Sequence, residues 1–295
     1  MNETLKRTIS GAVYIALLLT SILFSTESFI ILFGIFLIIA TYEFCNLAKI
    51  NKVFALTFVY LIYTSIVLVS FYKTETENYF NKLLKKEVEI TVDTDLLFII
   101  LLAITLLVSI KCIFFLFDES QSISKLSKYI YLIGYITLPF IFITKISFGI
   151  KNYNPKIIIG LFVLIWTNDT FAYLVGKSIG KHKLFERISP KKTIEGFFGG
   201  VIFAALAGFL ISKFYIRPNP EFRNMSILIW TIIALIVSVF GTIGDLVESK
   251  FKRVAGVKDS GSIMPGHGGV LDRLDSVIFV APIIYLFYQI LYYVS

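Results

Sequence analysis

The stretch SKFKRVAGVKDSGSIMPGHGGVLDRLDS, residues Ser249–Ser276, lies between two long apolar segments of the chain. It contains five basic residues, three aspartates, one histidine and five glycines. Charged side chains are costly inside a lipid bilayer, so a stretch of this kind marks a place where a chain leaves an apolar environment and then returns to it. The sequence on either side indicates what that environment is.

Outside this stretch the sequence is unusually apolar. Its 295 residues are 57% hydrophobic and 16% charged, and the mean hydropathy is +0.81. Soluble domains carry about 25% charged residues. Apolar runs of about 20 residues, the length at which a helix crosses a hydrocarbon core of roughly 30 Å, recur along the chain. Because these runs lack a polar face, the sequence predicts an all-α, polytopic integral membrane protein rather than an apolar soluble one.

About nine transmembrane helices are predicted, and backbone pairing in lipid requires that all of them be helical. Residues 1–150 are expected to form an N-terminal region of about five spans that serves as scaffold and faces lipid. Residues 151–295 are expected to form a catalytic region with loops 177–193 and 247–274. The predicted spans are at about 8–24, 28–48, 53–72, 96–117, 128–148, 156–176, 194–213, 226–246 and 275–294.

The first half of the chain offers few groups that carry chemistry. Glu43 and Asn46 lie near a predicted membrane boundary, so we interpret them as helix-end residues rather than as parts of a site. The segment 73–95 has the mixed charge of a solvated connector. Cys45 and Cys112 fall inside predicted spans and form no metal or redox motif, which is typical of packing residues.

The formal net charge is +8, which in a soluble protein would suggest a nucleic-acid partner. In a membrane protein the positive-inside rule explains the same charge, so no nucleic acid is expected. Most of the 28 Lys and Arg residues lie on the side that holds the N-terminus and the loops 177–193 and 247–274. That side is therefore predicted to be cytoplasmic. The compact chain favours a bacterial protein of the inner membrane.

The first polar stretch in the second half of the chain runs from Trp166 to Gly196. Asp169 falls inside an apolar span, where a carboxylate either pairs with a basic side chain or serves a function, and both remain open. Lys191 and Lys192 come just before a helix that Thr193 opens. Because the free N–H groups of a helix N-terminus attract phosphate, these lysines predict phosphate binding. The alternative is that they are topogenic charges beside an ordinary helix cap.

Three carboxylates belong to the second polar stretch or lie just before it, namely Asp245, Asp272 and Asp275. Asp245 and Ser249 are four residues apart and therefore share a helix face. Mg²⁺ prefers oxygen ligands and usually binds one or two carboxylates together with substrate phosphates. The pattern favours phosphoryl or nucleotidyl transfer, where catalysis consists mainly of positioning and charge stabilisation. A flexible loop with scattered charge is the alternative, although long loops in compact proteins are usually functional.

Taken together, these residues resemble the signature of the phosphatidate cytidylyltransferases, also called CDP-diacylglycerol synthases. The family pattern is S-x-x-K-R, four residues, K-D, a short spacer, and H-G-G-x-x-D-R-x-D. Every fixed position is filled here between Ser249 and Asp275. The segment SPKKTIEG, Ser189–Gly196, is similar to the family's S-P-K-K-T-x-E-G segment. The resemblance covers about residues 166–276.

The resemblance implies a Mg²⁺-dependent nucleotidyltransferase. Its reaction would transfer CMP from CTP to phosphatidic acid, giving CDP-diacylglycerol and pyrophosphate for phospholipid biosynthesis. The implied partners are CTP, phosphatidic acid and the lipid of the membrane, and a homodimer is also implied. Whether a second metal or a monovalent cation takes part stays open.

The resemblance and the chemistry of the side chains together suggest roles. Asp245 and Asp272 are expected to hold the metal, and Asp275 is expected to be a third ligand or to orient Arg273. Asp169 is expected to support the site or to pair with a lysine. The expected catalytic residues are Asp245, Asp272, Asp275, Lys258 and His267. The expected phosphate- and substrate-binding residues are Lys191, Lys192, Ser249, Lys252, Arg253 and Arg273.

Two other functions are compatible with a polytopic membrane protein. A transporter or channel would also place polar residues in spans, but transporter sites lie near the bilayer midplane. The charges of this sequence cluster instead at the span ends that are predicted to be cytoplasmic. A related membrane enzyme, such as a polyprenol kinase or a nucleotidyltransferase for another lipid phosphate, would need a different signature.

Overall fold

The computed structural model describes residues 3–73, 93–120, 122–148 and 153–294. Within these residues nine helices are long and apolar enough to cross a membrane, so the prediction of an all-α polytopic protein is confirmed. We number them α1 to α9 in chain order. They are Glu3–Phe24, Thr26–Ala48, Lys52–Phe71, Thr94–Phe117, Lys125–Ile146, Pro155–Ile179, Ile194–Ile216, Arg223–Ala255 and Leu271–Val294. The predicted connector 73–95 falls largely outside the described residues.

Two of the nine helices contain a wider turn. In α5 the stretch Leu132–Thr137 is π-helical between two α-helical parts, and α7 ends in a π-helical stretch, Ile211–Ile216. In α5 the Thr137 hydroxyl donates to the Leu132 carbonyl at 2.8 Å, which satisfies an oxygen that the widened turn leaves available. Irregular turns of this kind survive in a membrane when side chains satisfy the freed backbone groups.

The structure corrects the boundaries around the second polar stretch. The predicted span 226–246 and loop 247–274 are wrong, because α8 continues to Ala255 and α9 begins at Leu271. The helix stops at Gly256, whose φ of 74° belongs to the left-handed region, and the Val257 N–H donates to the Lys252 carbonyl. This is the usual way in which a glycine ends a helix. The connecting segment is therefore residues 256–270, which we call the glycine loop.

An aromatic cluster explains why α8 runs past the apolar part of its sequence. The Phe251 ring lies 5.3 Å from that of Phe44, 5.0 Å from Phe115, 5.1 Å from Tyr131 and 5.4 Å from Tyr135. These four rings belong to α2, α4 and α5. Burying one large aromatic side chain contributes roughly 1.5–3 kcal/mol. The last turns of α8 are thus amphipathic, with one face packed and one face charged.

A short β-hairpin occupies the loop between α6 and α7, where the sequence predicted no strand. Its strands, β1 (Lys183–Phe185) and β2 (Ser189–Thr193), are antiparallel. The turn residue Arg187 donates to the carbonyls of Leu116, at 3.0 Å, and Asp118, at 3.3 Å. A helix C-terminus leaves carbonyls without partners, so a cation that reaches them fixes the hairpin against the end of α4.

Glycines bring α6 and α7 into close contact. A Cβ added at Gly196 would lie 2.6 Å from the Ala172 carbonyl oxygen, and one at Gly199 would lie 2.6 Å from the Val175 Cβ. Small residues permit this approach between membrane helices, where packing rather than the hydrophobic effect drives association. Gly199 therefore packs within the chain, against Val175 of α6.

We expect Gly196→Ala to destabilise the protein although alanine is the better helix former. The added methyl meets a backbone carbonyl that cannot rotate away, and overpacking of this kind costs about 1–3 kcal/mol. Gly241→Ala is the matched control, because a Cβ there would meet its nearest neighbour at an ordinary 3.5 Å. Thermal unfolding in detergent, followed by labelling of the buried Cys45 and Cys112 thiols, should show a midpoint lowered by a few degrees for Gly196→Ala. Equal midpoints for the two variants would contradict the packing argument.

Candidate active site

The predicted site residues meet at one end of the bundle. The last turns of α8, the first turn of α9, the glycine loop and the hairpin all lie there. Lys192 of β2 forms an ion pair with Asp245 of α8, with 2.6 Å between Nζ and Oδ2. The Ser249 hydroxyl donates to Asp245 Oδ1 at 3.2 Å, so the shared helix face that the spacing predicted is present. Asp245 therefore joins the two polar stretches of the sequence.

A second lysine lies between two carboxylates of different helices. Lys252 Nζ is 2.7 Å from Asp272 Oδ1 and also forms an ion pair with Glu248 Oε2 one turn earlier in α8. The Glu248 side chain is fully buried, and its Oε1 has no hydrogen-bond partner among the described residues. Buried charges need partners of opposite sign, so Lys252 holds the ends of α8 and α9 together.

The second oxygen of Asp272 holds the glycine loop. Asp272 Oδ2 accepts the Ser260 N–H at 2.9 Å, the Ser260 hydroxyl at 2.8 Å and the Gly269 N–H at 2.7 Å. Gly268 has a φ of 84°, and a Cβ at this position would lie within about 2.5 Å of the same oxygen. Both oxygens of Asp272 are therefore occupied by protein donors, and its carboxylate fixes the fold of the loop.

A group of acidic side chains lies deeper in the bundle. Asp169 of α6, Asp245 of α8 and Asp275 of α9 are close enough to interact electrostatically, and Lys192 and Arg273 lie within range of Asp169. The Asp169 side chain is exposed, and we call the place where these three aspartates meet the recess. The nearby Asn168 is buried, and its Oδ1 has no hydrogen-bond partner among the described residues.

Helix α1 orients the histidine of the glycine loop. His267 Nδ1 lies 2.7 Å from Ser10 Oγ, and the Ser10 hydroxyl can donate to the Pro265 carbonyl at 3.0 Å or to the Arg7 carbonyl at 3.1 Å. If the hydroxyl proton goes to a carbonyl, Nδ1–H is the donor and Nε2 is left as an acceptor. Burial, and then the charges of Arg273 and Arg7, lower the pKa of His267. Both effects favour the neutral form of the imidazole.

The remaining predicted cations lie around the rim of the site. Arg253 Nε donates to the Ile188 carbonyl of the hairpin at 3.2 Å, and Arg273 Nη2 donates to the His267 carbonyl at 3.0 Å. Lys191 and Lys258 have exposed side chains. The structure thus separates the cations into two sets. Lys192 and Lys252 neutralise carboxylates, while the others stabilise loops or face solvent.

Two acidic residues of the site were missed in the sequence. Glu248 comes one residue before Ser249, the first position of the signature, and belongs to no motif. Glu43, interpreted as a helix-end residue, has its carboxylate buried against the glycine loop, where it accepts the Val270 N–H at 3.1 Å and the Leu271 N–H at 2.8 Å. One signal was available for Glu43, since a carboxylate within an apolar span is rare without a partner.

The donors for a metal ion can be tested against this geometry. In the described ranges, no group of three or more His, Cys, Asp or Glu side chains has the arrangement of a metal site. The chemistry of the recess nevertheless fits a hard cation, because Asp169, Asp245 and Asp275 supply oxygen donors. Mg²⁺ needs only one or two protein carboxylates when substrate phosphates complete its coordination.

One cavity among the described residues contains none of these charges. A groove of about 740 Å³ lies between α2 and α3 and is lined mostly by apolar side chains, including Ile35, Ile38 and Val67. Its lining contains no charged residue. Volume alone therefore does not locate the chemistry of this protein.

Three known proteins are similar to parts of the chain. The phosphatidate cytidylyltransferase of Bacillus subtilis (strain 168) is 41% identical over 195 residues, which cover 64% of this chain and 65% of that protein. Those of Staphylococcus epidermidis (strain ATCC 12228) and Staphylococcus aureus (strain COL) are 46% identical over 134 and 152 residues. These two matches cover 45% and 52% of this chain, and 49% and 55% of the relatives. The matched segments thus span about half to two thirds of each relative.

A profile of the Cytidylyltransferase family matches residues 5–291. The match includes the N-terminal helices, which contribute Ser10 and Glu43 to the site, as well as the signature stretch. This match extends over nearly the whole chain, and it agrees with the nine apolar helices of the described residues and with the ion-paired carboxylates at their ends. The chain therefore belongs to the cytidylyltransferase family.

Proposed function

We propose that this protein is a phosphatidate cytidylyltransferase, which transfers CMP from CTP to phosphatidic acid and releases pyrophosphate. The observation that carries the proposal is the joining of both signature stretches in one site by the Lys192–Asp245 ion pair. The names of the similar proteins from Bacillus and Staphylococcus support the same reaction. A family of cytidylyltransferases implies CTP as the nucleotide.

The reaction requires that two anions approach each other. An oxygen of the phosphatidate phosphate, already ionised near neutral pH, attacks the α-phosphorus of CTP, and the bond from that phosphorus to the bridging β-phosphate oxygen breaks. The attacking oxygen needs no strong general base. Cations at the rim reduce the repulsion between the substrates, and we assign this task to Lys191, Lys258 and the free donors of Arg253 and Arg273.

Neutral His267 suits a different task. With Nδ1 held by Ser10, its Nε2 can accept a hydrogen bond from a donor on the substrate. The cytosine amino group and the ribose hydroxyls of CTP are such donors. Ser249, whose hydroxyl bonds to Asp245, is placed to donate instead when a phosphate displaces that contact.

We further propose that Mg²⁺ takes part. When bound, the ion neutralises charge on the leaving pyrophosphate. We assign Asp245 to hold it, with Asp169 and Asp275 as its nearest acidic neighbours. Asp245 has two side-chain contacts, to Lys192 and Ser249, whereas Asp272 is engaged by Lys252, by Ser260 and by the Gly269 N–H. Asp272 remains a predicted ligand, but its contacts support a role in holding the glycine loop.

The membrane arrangement follows from the same chemistry. Phosphatidic acid can keep its acyl chains in the bilayer while its phosphate reaches the end of the bundle, and CTP arrives from the aqueous phase. We propose that this end faces the cytoplasm of a bacterial cell, because the positive-inside rule and the supply of CTP agree on that side. A homodimer stays a prediction from the family resemblance.

The first prediction concerns the reaction itself. Purified protein in detergent, given phosphatidic acid, Mg²⁺ and CTP labelled at the α-phosphorus, should transfer label to the lipid phase. CTP labelled at the γ-phosphorus should release its label as pyrophosphate and leave the lipid unlabelled. Lipid labelling from the γ-phosphorus would instead identify a lipid kinase. If folded protein labels the lipid from neither phosphorus, and solute flux is measured in proteoliposomes, the result would favour a transporter.

The second prediction separates the two aspartates proposed as ligands. Asp245→Asn should raise the Mg²⁺ concentration needed for half-maximal rate at least tenfold, since it removes a charged donor. Asp272→Asn should lower kcat at least 100-fold with little change in that concentration, because its carboxylate holds the loop. Rates measured across a Mg²⁺ titration distinguish the two. An equal rise of the Mg²⁺ requirement in Asp272→Asn would make Asp272 the ligand.

The third prediction tests the orientation of His267 by α1. Ser10→Ala removes the side chain that fixes Nδ1, and we expect kcat/KM for CTP to fall about tenfold. Ser21→Ala is the control in the same helix, because the Ser21 hydroxyl bonds only to the Leu18 carbonyl one turn earlier among its described contacts. Unchanged kinetics in Ser10→Ala would remove Ser10 from the site.

A further inference from the structure

The glycine loop is joined to α9 by a helix start that lacks a cap of its own. Leu271 is the first residue of α9, and Val270 occupies the N-cap position. Helices usually begin at Ser, Thr, Asp or Asn, whose side-chain oxygen accepts a free N–H of the first turn. Valine has no such oxygen. In the first turn of α9, moreover, lie Asp272 and Arg273, two residues on which the site depends.

Glu43 of α2 supplies the missing acceptor. Its Oε1 accepts the Val270 N–H at 3.1 Å and its Oε2 accepts the Leu271 N–H at 2.8 Å. The positive end of the α9 dipole stabilises a carboxylate at this place. The Glu43 side chain is 1% exposed, so these bonds form in a region from which water is excluded.

The same carboxylate reaches the opposite side of the glycine loop. The Ser260 hydroxyl lies 3.3 Å from Glu43 Oε2 and 2.8 Å from Asp272 Oδ2, and its single proton can serve one of the two at a time. A Cβ at either Gly261 or Gly269 would collide with the Glu43 carboxylate. The loop therefore packs against Glu43 at two places, residues 260–261 and residues 269–270.

From these contacts we infer that Glu43 is a positioning residue for the cytidylyl transfer. It fixes the glycine loop and the first turn of α9, so that Asp272, Arg273 and His267 keep the places they need in the site. Its carboxylate is buried and both of its oxygens accept backbone N–H groups, so it has no face open to a metal ion or to substrate. The inference rests on the proposed function for its kinetic part, and on the contacts alone for its structural part.

The test compares Glu43→Gln with Glu27→Gln. Both change a glutamate of α2 to its amide, but Glu27 lies exposed in the first turn, far from the loop. In Glu43→Gln one of the two oxygens becomes an NH₂ group that faces an N–H donor, so at least one loop contact is lost. Three quantities are measured: amide hydrogen exchange by mass spectrometry, the unfolding midpoint in detergent, and kcat and KM for CTP.

We expect Glu43→Gln to raise exchange at least tenfold in peptides that cover residues 258–273, while other peptides of α2, α8 and α9 keep their wild-type rates. The unfolding midpoint should stay within a few degrees of the wild type, and kcat should fall at least tenfold with a smaller change in KM. Glu27→Gln should match the wild type in all three quantities.

Several outcomes would overturn the inference. Unchanged exchange in the loop, or exchange raised equally throughout the helices, would show that Glu43 does not position the loop. A shift of the Mg²⁺ requirement with loop exchange unchanged would make Glu43 a ligand instead. If Glu43→Gln yields no folded protein, Glu43→Asp keeps the charge but is shorter by one methylene. Glu43→Asp should then show a smaller rise in amide exchange in the same peptides. Wild-type exchange rates in Glu43→Asp would also overturn the inference.

The two proposals fail in distinguishable ways. If the wild-type protein transfers no label from CTP to lipid, the proposed reaction is wrong, and the exchange data still decide whether Glu43 holds the loop. If the wild type is active and Glu43→Gln has wild-type kcat despite a loosened loop, the reaction stands and the positioning role in catalysis is wrong.

Discussion

The Lys252 ammonium group holds Glu248 of its own helix and Asp272 of the next one, and the surrounding structure depends on this arrangement. Removing one partner of a buried ion pair costs about 3–5 kcal/mol, since an uncompensated charge remains. Through Asp272 the same lysine is linked to Ser260 and Gly269 of the glycine loop. Through Ser260 it is linked to Glu43 of α2. A single cation thus connects the two halves of the chain.

Charge in the site is graded with depth. Carboxylates predominate in the recess, where Asp169, Asp245 and Asp275 lie, while lysines and arginines predominate at the rim. Two polyanionic substrates would be drawn to the rim by its cations, and the carboxylates behind it favour a hard cation between protein and phosphate. This order agrees with the proposed nucleotidyl transfer better than with transport, for which charged groups would lie near the midplane.

Much of the fold follows from the sequence because hydropathy and helix length are local properties. For most of the nine spans, the predicted first and last residues lie within a few residues of the observed ones. The prediction was clearly wrong at the C-terminal end of α8. There the charged residues suggested a loop, whereas Phe251 packs into an aromatic cluster contributed by α2, α4 and α5. Whether a membrane helix continues as an amphipathic helix depends on side chains that are distant in sequence. A hydropathy average over neighbouring residues does not include them.

The site was predictable to the extent that its motif residues are close in sequence. Lys192 and Asp245 were expected in one site, and their ion pair is present, as is the contact between Asp245 and Ser249. Glu43 could not be placed, since its partner Val270 is 227 residues away. The hairpin strands are equally invisible, because three to five residues are too few to show an alternating pattern.

The length of α8 has a consequence for how the proposed enzyme would meet its lipid. At about 1.5 Å per residue, its 33 residues extend roughly 50 Å, well beyond a hydrocarbon core of about 30 Å. If the excess length lies at the C-terminal end of α8, it would bring Ser249 and Lys252 toward the lipid phosphates, and the lipid would not need to be extracted from the bilayer. The enzyme and phosphatidic acid would then meet by diffusion in the plane of the membrane. The rate should follow the mole fraction of phosphatidic acid in the membrane or micelle and show surface dilution when neutral lipid or detergent is added.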